Sequence, residues 1–143
     1  LLLRIFNGPL SPLDQAWRPA IAGIAVLTLV IGNFAALTQE NVKRLIAYSS
    51  VSHAGYLLLG LLAGNATGLR GIAVYLAVYT FANLGVLMVL IAIRTRTSGL
   101  PEEDVSDLNG LAARHPLYAA AMLVFLLSLA GIPPTGGFLG KYY

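Results

Sequence analysis

The chain has 143 residues, 57% of them hydrophobic and only 10% charged, with a formal net charge of +3 and a mean hydropathy of +0.77. Soluble domains carry about 25% charged residues, so this composition excludes an ordinary soluble core and predicts a polytopic membrane protein. The positive charge does not point to nucleic acid: the cations form no patch, but stand singly or in pairs at the ends of apolar runs, where they anchor helices and set orientation. Cysteine is absent, which removes disulfide frameworks and thiolate metal sites.

In chain order, Leu1-Leu2-Leu3-Arg4 opens in apolar sequence without an initiator Met, and Gly140-Lys141-Tyr142-Tyr143 stops without a cap. A fragment of a longer chain is expected, with residues 1–6 as the end of a helix begun upstream. Asn7-Gly8-Pro9-Leu10-Ser11-Pro12 is loop chemistry. Trp17 suits a membrane interface and Pro19 a first helical turn, so a helix is predicted over 19–37. Within it, Asn33 is placed to hydrogen-bond a neighbouring helix. Thr38-Gln39-Glu40-Asn41 is a turn into a second helix over 42–63, antiparallel to the first. A third is predicted over 71–93, with Tyr75, Tyr79 and Asn83 at four-residue spacing along one face. Such a stripe reads first as an interhelical hydrogen-bond seam. Residues 97–115 form the main extramembrane loop, and 97–116 hold four of the six acids. A short amphipathic helix is expected at 105–113, and a last apolar run, 116–143, is interrupted by glycines and prolines. Counting cations near the helix ends sets Lys43, Arg44, Arg94, Arg96 and Arg114 against Arg4, Arg18 and Arg70, which predicts that the Lys43/Arg94 side is cytoplasmic.

Two stretches carry candidate chemistry. The first is Val42-Lys43-Arg44-Leu45-Ile46-Ala47-Tyr48-Ser49-Ser50-Val51-Ser52-His53-Ala54-Gly55-Tyr56. A helix over 42–63 is ~33 Å long, about the hydrocarbon thickness of a bilayer. Lys43 then sits at one membrane face and His53 ~15 Å deeper, where a titratable side chain is costly and signals function. Ser49, His53 and Tyr56 share a face and could carry a water-assisted relay or serve as a packing seam. His53 stands about 80° around the helix from Lys43. The two do not meet on one helix, and a link needs water or another helix, with Asn33, Tyr79 and Asn83 as possible donors; Ser50 lies on the Lys43 face. Lys-Arg at a helix end is also what orientation alone produces.

The second stretch is Gly131-Ile132-Pro133-Pro134-Thr135-Gly136-Gly137-Phe138-Leu139-Gly140-Lys141. The helix before it, 116–131, spans only ~24 Å. Two readings stay open: a turn between two helices, or one transmembrane helix broken inside the membrane at 131–137 with Lys141 just past the break, an arrangement suited to ion sites. An amine desolvated there can give up and regain a proton, as a relay requires. Other chemistries fail. The glycine-rich stretch lacks a following Lys-Ser or Lys-Thr pair for phosphate, and the two histidines lie 62 residues apart without a carboxylate framework for metal.

The stretch from Asn41 to Tyr56 and the run Ser128-Leu129-Ala130-Gly131-Ile132-Pro133-Pro134-Thr135-Gly136-Gly137-Phe138-Leu139-Gly140-Lys141 resemble the two most characteristic stretches of the antiporter-like membrane subunits of respiratory complex I, the NADH–quinone oxidoreductase. The resemblance covers nearly the whole chain, and the Gly140-Lys141 ending is similar to one of the three such subunits in particular. It implies an all-α, polytopic membrane helix bundle of the antiporter-like inverted-repeat fold, of which this chain would be the second repeat. It also implies proton translocation, with Lys141 as the lysine of the second broken helix and Lys43 and His53 on the path towards it. NADH, FMN, iron–sulfur clusters and quinone would belong to partner subunits, with no cofactor or metal in this chain. Partners would be the other membrane subunits of the complex, including neighbouring antiporter-like subunits, and the lipid bilayer; the resemblance also implies a bacterial inner membrane as the setting. Mrp-type Na⁺/H⁺ antiporters and membrane hydrogenases share the fold and remain alternatives, as does a non-pumping structural subunit.

Overall fold

The computed structural model describes residues 5–6, 8–96 and 104–142. The expected helix end at 1–4 with Arg4, the loop residues 97–103 with Glu102 and Glu103, and the side chains of Arg94 and Arg96 lie outside the described residues. Among the described residues there is no strand, only an isolated bridge between Asn41 and Asp104.

Helix α1 spans Asp14–Leu37 and follows a 3-10 turn at Ser11–Leu13. It starts five residues before Pro19, which is therefore inside the helix and not at its first turn. Two features favour the earlier start. Asp14 places a carboxylate at the helix N-terminus, and the Trp17 indole donates to the Leu10 carbonyl (3.0 Å) while its ring packs on Phe6 at 4.7 Å. Pro19 removes the hydrogen bond to the Gln15 carbonyl, a loss softened because Gln15 is exposed near the helix end.

Helix α2 spans Val42–Ala63. Asn41 caps it: the extended backbone lets its side chain accept from the amides of Lys43 (3.1 Å) and Arg44 (3.3 Å). Gly64, at φ 63°, ends it in the left-handed conformation. The helix packs antiparallel on α1 through small residues. A Cβ on Gly32 would stand 2.5 Å from Ser52 Oγ and 2.8 Å from its amide nitrogen, and one on Gly55 would stand 2.7 Å from Thr28 Oγ1. These glycines let the two backbones approach closely, as is common between membrane helices.

Helix α3 spans Ala66–Arg96. It begins five residues before residue 71 because Asn65 accepts from the Gly68 amide at 2.6 Å, drawing the expected turn residues into the first helical turn. The expected helix at 105–113 is instead two short pieces, a 3-10 turn at Val105–Leu108 and helix α4 at Leu111–Arg114. Gly110 separates them at φ 72°. Arg114 ties the pieces together by donating to the carbonyls of Asp107 (3.1 Å) and Asn109 (2.7 Å). The segment clasps the α1–α2 turn, where the Val105 amide donates to the Glu40 carbonyl at 2.8 Å.

Helix α5 spans Pro116–Ala130 and helix α6 spans Gly136–Tyr142. Between them Gly131 has φ 80° and the Pro133–Pro134 peptide is cis. Both helices lie along α3. A Cβ on Gly85 would meet the Phe125 ring at 2.5 Å, one on Gly136 would meet Val78 at 3.1 Å, and one on Gly140 would meet Tyr75 Cα at 2.8 Å. As the number falls along α3, it rises from α5 to α6, so α6 carries on in the direction of α5. This is the geometry of an interrupted helix and not of a hairpin turn. The interruption faces the part of α3 around Val78, near the middle of the apolar span Thr67–Ile93.

A core of Val42, Ile46, Val86, Val89, Ile93, Leu111 and Met122 joins α2, α3, α4 and α5 at the Lys43 end. Among the described residues, three helices are long and apolar enough to cross a membrane, at Ser11–Leu37, Val42–Ala63 and Thr67–Ile93. Large apolar side chains such as Ile31, Phe34, Phe81 and Met88 are exposed on them, as a multi-pass bundle facing lipid or further helices requires.

Candidate functional site

The polar residues of α2 and α3 meet because the two helices are antiparallel neighbours with matching stripes. His53 and Tyr75 are both buried, and His53 Nδ1 is hydrogen-bonded to the Tyr75 hydroxyl. Tyr79 lies one turn further along α3. Its hydroxyl donates to Ser50 Oγ at 2.7 Å, and Ser50 in turn donates to the Ile46 carbonyl at 3.0 Å. The His53 ring stacks at a tilt against Tyr79, with centroids 4.7 Å apart, and lies 6.3 Å from Tyr56. Tyr75 and Tyr79 thus form an interhelical hydrogen-bond seam that runs past the histidine, whereas Asn83 lines the cavity beside it.

Lys141 enters from α6. Its ammonium donates to the Leu129 and Ala130 carbonyls, each at 3.1 Å, and lies 4.6 Å from the centroid of the Tyr56 ring. The interruption makes these contacts possible. At Gly131 the chain turns away and leaves the last carbonyls of α5 without intrahelical partners, and α6 then brings Lys141 back past them. Gly137 is buried against the Ser128 carbonyl, with space for hydrogen only. Pro133 and Pro134 are exposed in the connection and, lacking amide hydrogens, cannot extend α5.

A cavity of about 340 Å³ joins the two sets. Its lining includes Asn33, Ser49, Ser50, His53, Tyr56, Tyr79, Asn83 and Lys141. Ser52, whose buried hydroxyl has no partner among the described residues, opens onto it as well. Asn33 is here without being an interhelical donor: its amide bonds the Leu29 carbonyl of its own helix at 2.7 Å. Lys43 is not part of this lining. It is exposed in the first turn of α2, ten residues or ~15 Å from His53.

Tyr75 was not among the residues singled out as a relay from sequence. The signal that could have found it is its place two turns before Asn83 on the Tyr79 face, on a helix antiparallel to the one bearing His53. The Leu129 and Ala130 carbonyls have no side-chain signal at all. The sole cue is Gly131, whose φ frees them.

Chemically, the arrangement offers one amine, one imidazole, two phenols and several hydroxyls around a space with room for several waters, with the Tyr75 phenol bonded to the imidazole from outside the lining. No carboxylate lines it, and among the described residues no group of acidic, histidine or cysteine side chains could hold a metal ion. Imidazole, hydroxyl and water each both donate and accept hydrogen bonds, so the cavity is suited to moving protons.

The sequence profile of the family described as NADH:quinone oxidoreductase/Mrp antiporter, TM, matches residues 1–143. The chain is 62% identical over 142 residues to NADH-quinone oxidoreductase subunit N 2 of Solibacter usitatus, covering 99% of this chain and 28% of that protein. It is 54% identical over 147 residues to NADH-quinone oxidoreductase subunit N 1 of Koribacter versatilis, covering 100% and 28%. It is 46% identical over 143 residues to NADH-quinone oxidoreductase subunit N of Rhodospirillum rubrum, covering 100% and 29%. The chain therefore spans less than a third of the length of these curated relatives. A match over the whole chain, on helices of membrane-crossing length, makes this chain a member of the NADH:quinone oxidoreductase/Mrp antiporter family of transmembrane proteins.

Proposed function

We propose that this chain is the proton-carrying second repeat of a subunit N of an NADH–quinone oxidoreductase, coupling quinone reduction elsewhere in the complex to proton transfer across the membrane. The observation that carries the reading is the cavity, which places Lys141, His53, Ser50, Tyr56 and Tyr79 around one hydratable space beside an interrupted helix. Lys141 binds and releases the proton. Water and the His53–Tyr75 and Tyr79–Ser50 pairs move it within the cavity. Lys43, at the end of α2, acts on this site through its charge or through water, since charge on one lysine biases the protonation of the next.

On this reading the chain carries out no electron transfer, and NADH, FMN, iron–sulfur clusters and quinone are held by partner subunits. Its partners are the other membrane subunits of the complex, its neighbouring antiporter-like subunits among them, and lipid. The membrane is the bacterial inner membrane, with the Lys43/Arg94 side cytoplasmic, consistent with the cation bias along the chain and with the bacterial relatives. The Gly140-Lys141 ending and the subunit N names of the relatives both support subunit N over its paralogues.

Replacing Lys141 by Met in the intact complex tests the reading. Proton pumping per NADH oxidised is expected to fall while assembly is unchanged. Normal pumping with normal assembly leaves the chain as a structural scaffold. The family description also covers Mrp antiporters, which makes Na⁺/H⁺ exchange the second reading, alongside the membrane hydrogenases that share the fold. Sodium-dependent proton movement that persists without NADH would favour exchange.

A further inference from the structure

A second cavity, of about 230 Å³, lies beyond the first, lined by Leu57, Gly60, Ala63 and Ile72 among others. The linings of the two cavities have just two residues in common, Tyr56 and Lys141. Along α2 the first cavity reaches from Leu45 to Tyr56 and the second from Tyr56 to Ala63. Along α3 the first is bounded by Asn83 and Tyr79 and the second by Tyr75 to Gly68. The cavities are thus stacked end to end, and from Leu45 to Ala63 they extend over ~27 Å of helix, most of the thickness of the hydrocarbon core. At the junction the Tyr56 ring presents its face to the Lys141 ammonium, 4.6 Å from the centroid.

From this stacking we propose that the Tyr56 ring and Lys141 form the partition between two hydratable half-spaces, and that the ring is a positioning residue that seats the ammonium and blocks continuous water between them. The inference rests on the proton-carrying reading above. It assigns Tyr56 a role through its aromatic face and not through its hydroxyl. The face of a phenol ring attracts a cation through its quadrupole and needs no oxygen to do so. A side chain filling the junction also keeps the water on either side from joining. Continuous water through a membrane protein would dissipate the gradient the protein builds.

The test compares Tyr56→Phe, Tyr56→Leu and Tyr56→Ala in the intact complex, reconstituted in liposomes with a trapped pH indicator. Two quantities are read: protons pumped per NADH, and the passive decay of an imposed pH gradient with NADH absent. Tyr56→Phe keeps the ring, so it is expected to pump clearly better than Tyr56→Leu, with a passive decay no faster than that of the wild type. Tyr56→Leu keeps most of the bulk but loses the cation–π contact, so seating of the ammonium should weaken by about threefold to thirtyfold and pumping should drop. Tyr56→Ala is expected to add a faster passive decay. The proposal is overturned if Tyr56→Phe loses as much pumping as Tyr56→Leu, which would assign the role to the hydroxyl, or if Tyr56→Leu pumps normally. Should Tyr56→Ala fail to assemble, the Phe and Leu pair still decides. Lys141→Met separates the two levels: full pumping there overturns the proton-carrying reading itself, whereas lost pumping there with normal Tyr56→Leu overturns the partition alone.

Discussion

Replacing Gly137 by alanine puts a methyl group into backbone. The new Cβ would lie 2.8 Å from the Ser128 carbonyl carbon and closer still to its oxygen. Non-bonded carbons are comfortable at about 3.5–4.0 Å, so relieving the carbon contact alone takes a shift of α6 away from the end of α5 of roughly 1 Å, and the nearer oxygen demands more. Neither contacting atom belongs to a flexible side chain that could yield instead. Overpacking of this kind costs about 1–3 kcal/mol. The shift also travels to the site, since Lys141 is one turn further along α6 and its two bonds to the Leu129 and Ala130 carbonyls already stand at 3.1 Å. A displacement of roughly 1 Å takes them past hydrogen-bonding range, and misplacement of that size can lower the rate of a positioned step by up to about a hundredfold. Gly23→Ala is the control, because a Cβ there meets nothing within 4 Å. Complex content on native gels and NADH-driven acidification of inverted vesicles are measured for both variants. Gly137→Ala should lose pumping and some assembly, and Gly23→Ala neither. If the two variants match wild type in both assays, the close approach of α6 to Ser128 is wrong.

The buried His53–Tyr75 pair should be strongly coupled. Replacing either partner by an apolar residue strands the other, at about 1–3 kcal/mol, so His53→Leu and Tyr75→Phe together should cost less than their sum; additive losses of stability in a double-mutant cycle would disprove the bond. Removing the α2 cap by Asn41→Ala should lower local stability by about 1 kcal/mol. Hydrogen exchange in residues 42–46 should speed up accordingly, with equal exchange in the two proteins as the contrary result. Sidedness is open to labelling: Gln39→Cys should react with an impermeant maleimide from the cytoplasmic face and Asn65→Cys from the opposite one, and the reverse pattern would invert the topology.

The long apolar runs announce crossing helices because a bilayer demands both length and the absence of charge, and both are local properties. Helix starts are not local in that sense. Asp14 opens α1 through a carboxylate at the helix end and a Trp17 contact with Leu10, and Asn65 opens α3 by capping Gly68, so neither start coincides with the edge of its apolar run. The interruption at 131–135 is visible as glycine and proline, but its direction is not. Whether α6 turns back or carries on is decided by α3, where Val78 and Tyr75 receive Gly136 and Gly140. In the same way, helical angles group Ser49, His53 and Tyr56 on one face without telling what that face meets. Ser50 turned out to be the hydroxyl that Tyr79 engages, and Tyr75 the phenol that His53 engages, because pairing depends on the register between α2 and α3.

The carbonyls that receive Lys141 have one more consequence. They are the negative pole of α5, so among the described residues the ammonium is compensated by a helix dipole worth about half an elementary charge and not by a carboxylate. A dipole cannot be protonated or drawn away by a competing cation. When the amine gives up its proton, no full anion is left among these groups, and the local charge passes from about half a positive to about half a negative elementary charge. Each proton bound and released would then swing the local charge by one unit about neutrality, a signal that charged groups on neighbouring helices can follow.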